Sequence, residues 1–174
     1  MLELERRFGV ELRAAGRRLE GYAAVFGEET RIADFVEVVA PGAFARSLGA
    51  GGDILALVDH DITKVLARTR AGTLKLSEDS RGLHFETVEL PQTTAANDTL
   101  ELVRTSNAGG ASFSFAVRDG GDRWEGNRRT LLDVDLREIS IVSAFPAYDG
   151  TLVSVRARGP ARLNLARLWM ETVR

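Results

Sequence analysis

The 174-residue chain contains no cysteine. That removes disulfides, thiolate-bound zinc and a cysteine nucleophile from consideration at once. Histidine is nearly absent as well, with His60 and His84 the only two. No HExxH-like pair exists, so a zinc site would need carboxylates gathered from distant segments. Asp59 and Asp61 could hold Mg²⁺, but acids flanking a histidine are more often simply solvated, and no metal or cofactor is expected. Charge of one sign is also lacking. The formal net charge is −2, and the arginines are interspersed with acids, so no broad positive field attracts nucleic acid or an anionic membrane. No apolar run approaches the ~20 residues of a membrane-spanning helix. The N-terminus Met1-Leu2-Glu3-Leu4-Glu5-Arg6-Arg7 lacks the apolar core of a signal peptide. The expectation is a cytoplasmic protein without disulfides.

What is present is a β-rich pattern in one domain large enough to bury a core. Leu2, Leu4, Phe8, Val10 and Leu12 share one parity, with Glu3, Glu5, Arg7, Glu11 and Arg13 on the other, which reads as a half-buried strand. Ala14 to Arg17 reads as a turn into a second, antiparallel strand over 19–26. Further strands are expected at 35–39, 54–58, 64–68, 72–77, 82–90, 111–118, 128–136, 137–142 and 152–156. A helix is predicted from Pro41 to Leu48, where proline fits the first turn. A second is predicted over 94–106, with Thr94 or Asn97 as cap. Gly159-Pro160 breaks the pattern, and Leu165, Leu168, Trp169 and Val173 then recur at helical spacing. This divides the chain into residues 1–158 and a helical tail, 159–174. The tail either covers the core or faces a second copy or a scaffold, so a homo-oligomer is one expectation. The fold class expected is mainly β (α+β), an antiparallel closed or partly open barrel with a few surrounding helices.

Three features carry chemistry. His60 follows a short apolar strand and lies between two acids, where a scaffold presents functional groups; histidine is the usual general base near neutral pH. His84 lies inside a strand, opposite in parity to Leu83 and Phe85. Ser112 follows Gly109-Gly110, and glycines let a backbone approach a substrate and leave N–H groups for an oxyanion. The same residues also fit a plain loop-to-strand junction, and the pattern is not the Gly-x-Ser-x-Gly elbow. In Leu136-Arg137-Glu138-Ile139-Ser140-Ile141-Val142, Glu138 and Ser140 share the polar parity. An acid there could orient a histidine, although spacing alone does not separate Glu138 from Asp133 or Asp135.

Taken in order, these segments resemble the HK97-type caudovirus prohead (capsid maturation) serine proteases. The likeness rests on Gly21-Tyr22-Ala23-Ala24-Val25-Phe26, Pro41-Gly42-Ala43-Phe44 with Ser47-Leu48, His60-Asp61, and Leu66-Ala67-Arg68. It continues through Gly72-Thr73-Leu74, Glu78-Asp79, Gly82-Leu83, Ser112-Phe113-Ser114-Phe115, the Glu138 strand and Pro146-Ala147-Tyr148. It spans about residues 18–155. Three positions depart from the common pattern: Ala67 and Ser114 stand where glycine is usual, and Ala111 where methionine is frequent. The resemblance implies a herpesvirus-protease-like fold, with Ser112 as nucleophile, His60 as general base and Glu138 as the third member. Ser114 is then the competing serine and His84 the minor rival to Glu138. It also implies a serine endopeptidase that cleaves the scaffold segment of the major capsid protein, and itself, inside the assembling prohead. Two other readings keep their place: a catalytically silent assembly module of the same fold, and an unrelated β-rich binding module.

Overall fold

A computed structural model describes residues 4–9 and 12–143. In chain order the elements are β1 (Leu4–Gly9), β2 (Leu12–Ala15), β3 (Arg18–Val25), β4 (Thr30–Ile32), β5 (Phe35–Val39) and α1 (Ala45–Gly49). Next come β6 (Leu55–Val58), β7 (Asp61–Arg68), β8 (Leu74–Glu78), β9 (Gly82–Thr87) and α2 (Thr94–Arg104). The last described elements are β10 (Gly110–Val117), β11 (Asp122–Glu125), β12 (Arg128–Leu131) and β13 (Val134–Val142). The strand expected at 152–156, the helical tail and the boundary after residue 158 lie outside the described residues.

The strands form three sheets, ordered β1-β10-β13-β6-β7, β11-β12-β5-β4 and β2-β3-β9-β8. This is the β-rich α+β architecture expected, in its open form: the sheets do not close into one barrel. Nor is the pairing wholly antiparallel. β13 runs parallel to β6, and β12 runs parallel to β5. The single N-terminal strand read from alternation is two strands, β1 pairing with β10 and β2 with β3 in a different sheet. Period-two patterning reports which side is apolar, not which sheet a strand joins.

The first helix starts at Ala45 rather than Pro41. Gly42 has φ +88°, a left-handed conformation that a right-handed helix cannot include. α2 is capped by Thr93, whose side chain accepts from the Ala96 N–H, and it buries Ala96, Thr99 and Leu100. Threonine at this position satisfies one of the orphan donors of the first turn.

β10 is an interior strand, flanked by β1 and β13 and buried along nearly its whole length. Phe113 points to the core, stacked on Phe115 at 5.2 Å and edge-on to Phe44 at 5.3 Å. Offset and edge-to-face rings of this kind add to the burial of apolar area. Strand alternation then forces Ser112 and Ser114 onto the opposite face. Their partners on β13 are Ser140 and Glu138, respectively. One residue after Glu138's pair the register slips, because Phe115 pairs with Leu136 and Arg137 is left over as a bulge.

A second consequence of the sheet order is a buried ionic cluster. Arg7 on β1 and Arg129 on β12 both contact Glu5 and Glu37. Arg7, Glu37 and Arg129 are all buried, although Arg7 lies on the parity that reads as solvent-facing.

Candidate active site

The histidine arrives through a two-residue hairpin. Val58 and Asp61 pair across β6 and β7, leaving Asp59 and His60 as the turn, with φ of +49° and +60°. Two central residues at positive φ make the type I′ geometry that matches strand twist, usually met by asparagine and glycine. For non-glycine residues this conformation is strained by roughly 1–2 kcal/mol each. Specific bonds hold it. Asp59 accepts from the Ser143 N–H at 2.7 Å and from its hydroxyl at 2.6 Å, and the Asp59 N–H donates to the Ile141 carbonyl. The His60 N–H donates to Ser140 Oγ at 3.2 Å.

The parallel pairing of β6 with β13 sets Leu57 beside Ser140 and Val58 beside Ile141. The turn therefore delivers His60 over the polar face of β13. His60 Nδ1 lies 2.5 Å from Glu138 Oε1. Ser140 Oγ donates to Glu138 Oε2 at 2.6 Å. Ser114 Oγ donates to Glu138 Oε1, and lies 3.4 Å from His60 Nδ1. Burial alone would push the Glu138 carboxyl up, but the hydrogen bonds from His60, Ser114 and Ser140 outweigh it and hold it below its ordinary value.

An ionised carboxylate can only accept. Nδ1 must then carry the imidazole proton, and Nε2 presents a lone pair. That Nε2 is buried and has no hydrogen-bond partner. The Ser112 hydroxyl, 0% exposed, is the other buried side-chain polar atom without a partner among the described residues. Leaving such a group unsatisfied costs about 1–3 kcal/mol. Two of them, a base in the β6–β7 turn and an alcohol on β10, with β13 between those strands, call for a chemical reason.

The predicted residues thus divide. His60 and Glu138 are in direct contact, and Ser112 lies on the same sheet face, directly across from Ser140. Asp135 is instead paired with Arg46 and Arg118, and Asp133 with Arg46. His84 lies on β9 in another sheet, edge-on to Tyr22 at 5.2 Å. Of the two glycines before Ser112, Gly109 has its N–H bonded to the Val142 carbonyl, and Gly110 pairs with Val142 at the start of the β13 ladder. Gly110 has φ +137°, so glycine there serves the backbone's entry into β10. Ser140 joins the site with no role assigned to it from sequence: it lies in the 136–142 stretch that carries the resemblance and shares the polar parity of Glu138. Among the described residues, no group of three or more acids and histidines is arranged to hold a metal.

No curated protein and no solved structure matches this chain. The family model described as caudovirus prohead serine protease matches residues 7–164, a span that contains every residue of the cluster just described. The chain belongs to the caudovirus prohead serine protease family, and is accordingly a serine endopeptidase of capsid maturation.

Proposed function

We propose that Ser112 is the nucleophile, His60 its general base and Glu138 the acid that orients and charges the base. The observation that carries this reading is the pair of unpartnered buried atoms, His60 Nε2 and Ser112 Oγ, beside a glutamate already bound to Nδ1. In the reaction, Nε2 takes the Ser112 proton as Oγ attacks the peptide carbonyl carbon. The imidazolium then gives that proton to the leaving amine, and an acyl-enzyme remains. Water, deprotonated by the same Nε2, releases the acyl group and restores Ser112. General base assistance of this kind contributes roughly 10²–10⁴-fold. Because Ser112 is fully buried, acylation follows displacement of the atoms that cover it.

Ser114 is the rival hydroxyl, favoured by its 3.4 Å approach to His60. It approaches the Nδ1 edge, however, and donates its proton to Glu138. A nucleophile needs the free edge of the ring, and that edge is Nε2.

The substrate we assign is the scaffold segment of the major capsid protein, together with the protease chain itself, inside the prohead assembling in the host cell. Family membership supports capsid and scaffold proteins as the class acted on. Incubation of the full chain with its cognate capsid protein tests the assignment. The wild type releases the scaffold segment, and Ser112→Ala and His60→Ala do not. Equal band patterns from wild type and Ser112→Ala would favour the silent assembly module.

A further inference from the structure

We propose that Ser114 and Ser140 are positioning residues that hold the Glu138 carboxylate, one on each oxygen, so that it faces His60 Nδ1 in a single orientation. This rests on Glu138 acting as the orienting acid.

Both serines are fully buried, and each approaches the carboxylate from a different strand. Ser114, on β10, donates to Oε1, the same oxygen that meets the imidazole. Ser140, two residues along β13 from Glu138, donates to Oε2 at 2.6 Å. A carboxylate gripped at one oxygen can still rotate about its last bond. Gripped at both, it cannot leave the plane that aims Oε1 at the ring. Charge-assisted hydrogen bonds of this type are roughly twice as strong as neutral ones.

Ser140 does a second thing. Its oxygen accepts from the backbone N–H of His60 at 3.2 Å while its proton goes to Glu138. One hydroxyl therefore ties the acid to the strained turn that carries the base. His60 at φ +60° is held from two sides, by its own N–H on Ser140 and by its ring on Glu138, and Ser140 is common to both. Catalytic geometry is sensitive at the scale of one ångström, and a flexible two-residue turn would not supply it alone. Neither serine hydrogen-bonds the proposed nucleophile: Ser112 Oγ has no hydrogen-bond partner.

The test uses the full chain with its capsid substrate, comparing Ser114→Ala and Ser140→Ala with wild type and Ser112→Ala. Loss of one charge-assisted bond to Glu138 is expected to lower kcat by roughly ten- to a hundredfold, with KM little changed. The second readout is the low-field proton NMR signal of the hydrogen-bonded Nδ1–H, assigned by its disappearance in His60→Gln. Each alanine variant is expected to shift or broaden that signal while keeping the wild-type melting temperature within a few degrees. Unchanged kcat and an unchanged Nδ1–H signal in both variants would overturn the proposal. So would a kcat loss in step with thermal destabilisation and no change in the signal, which marks a purely structural role. Should Ser114→Ala fail to fold, Ser140→Ala tests the same statement from the other oxygen. Failure of the underlying reading is seen separately: Ser112→Ala would then keep its activity, or Ser114→Ala would lose all reaction with a fluorophosphonate, marking Ser114 as the nucleophile.

Discussion

Replacing Glu138 by glutamine removes one charge and changes almost no volume, so its effect isolates the electrostatic role of the acid. Three donors converge on this carboxylate: His60 Nδ1 and Ser114 on Oε1, and Ser140 on Oε2. A glutamine offers one acceptor oxygen and two N–H donors. With its oxygen toward the ring, its amide nitrogen meets Ser140 Oγ, and the Ser140 proton loses its acceptor. With its nitrogen toward the ring, Nδ1 must accept, and the proton moves to Nε2, where the base is needed. In either orientation the imidazolium formed during acylation has lost its counter-charge. An opposite charge at about 4 Å is worth about 4 kcal/mol at an effective dielectric constant of 20, or on the order of a thousandfold in rate. The equivalent acid-to-amide change in the Ser-His-Asp triad lowers kcat by about 10⁴ through the wrong tautomer. Glu138→Gln is therefore expected to lower kcat on the capsid protein by about 10³–10⁴, with KM nearly constant, in a protein that still melts cooperatively. Steady-state cleavage beside a melting curve measures both. A kcat within tenfold of wild type would refute the role given to Glu138.

Other consequences are independent of the chemistry. Glu37→Ala strips a partner from Arg7 and Arg129 in the buried ionic cluster, and breaking such a network should cost about 3–5 kcal/mol in urea denaturation; a loss below about 1 kcal/mol, the worth of an exposed pair, would mean that solvent reaches these arginines. Phe113→Ala empties a site that is 1% exposed between Phe44 and Phe115. It should cost about 3–5 kcal/mol and also reduce activity, since both neighbouring residues face the site; a neutral result would contradict the core packing. Acid should destabilise the fold in a definite direction. Burial raises the Glu5 and Glu138 carboxyls, but hydrogen bonds and charges from Arg129 and Arg7, and from His60 and the two serines, leave both below their ordinary value of 4.5. A depressed folded value gives stability that is present above the unfolded value and lost as pH falls through the folded one. The melting temperature should thus fall below about pH 5, and a rise on acidification would contradict this sign.

Much of the site is legible in the sequence because β-strands print their faces in alternation. Phe113 and Phe115 against Ser112 and Ser114, and Ile139 and Ile141 against Glu138 and Ser140, fix which side chains share a face before any pairing is known. The pairing itself is long-range. Nothing local indicates that β6 runs parallel to β13, the arrangement that brings His60 to Glu138 across 78 positions of chain. The Asp59-His60 turn is also hidden, because neither residue is the glycine or asparagine that announces positive φ. Asp122-Arg123-Trp124-Glu125 has no apolar alternation to signal β11, and Thr30–Ile32 is too short to show any. Charged residues at strand positions read as solvated. Arg7, Glu37 and Arg129 are buried because they compensate one another, a fact visible only when their strands are assembled.

The most direct measurement of the central claim is to locate the serine that reacts. Full-length protein treated with a fluorophosphonate and mapped by peptide mass spectrometry should carry the adduct on Ser112. Labelling should vanish in Ser112→Ala and drop sharply in His60→Ala. An adduct on Ser114 or Ser140, or labelling of Ser112→Ala equal to wild type, would contradict the assignment of Ser112 and His60 as the reacting pair.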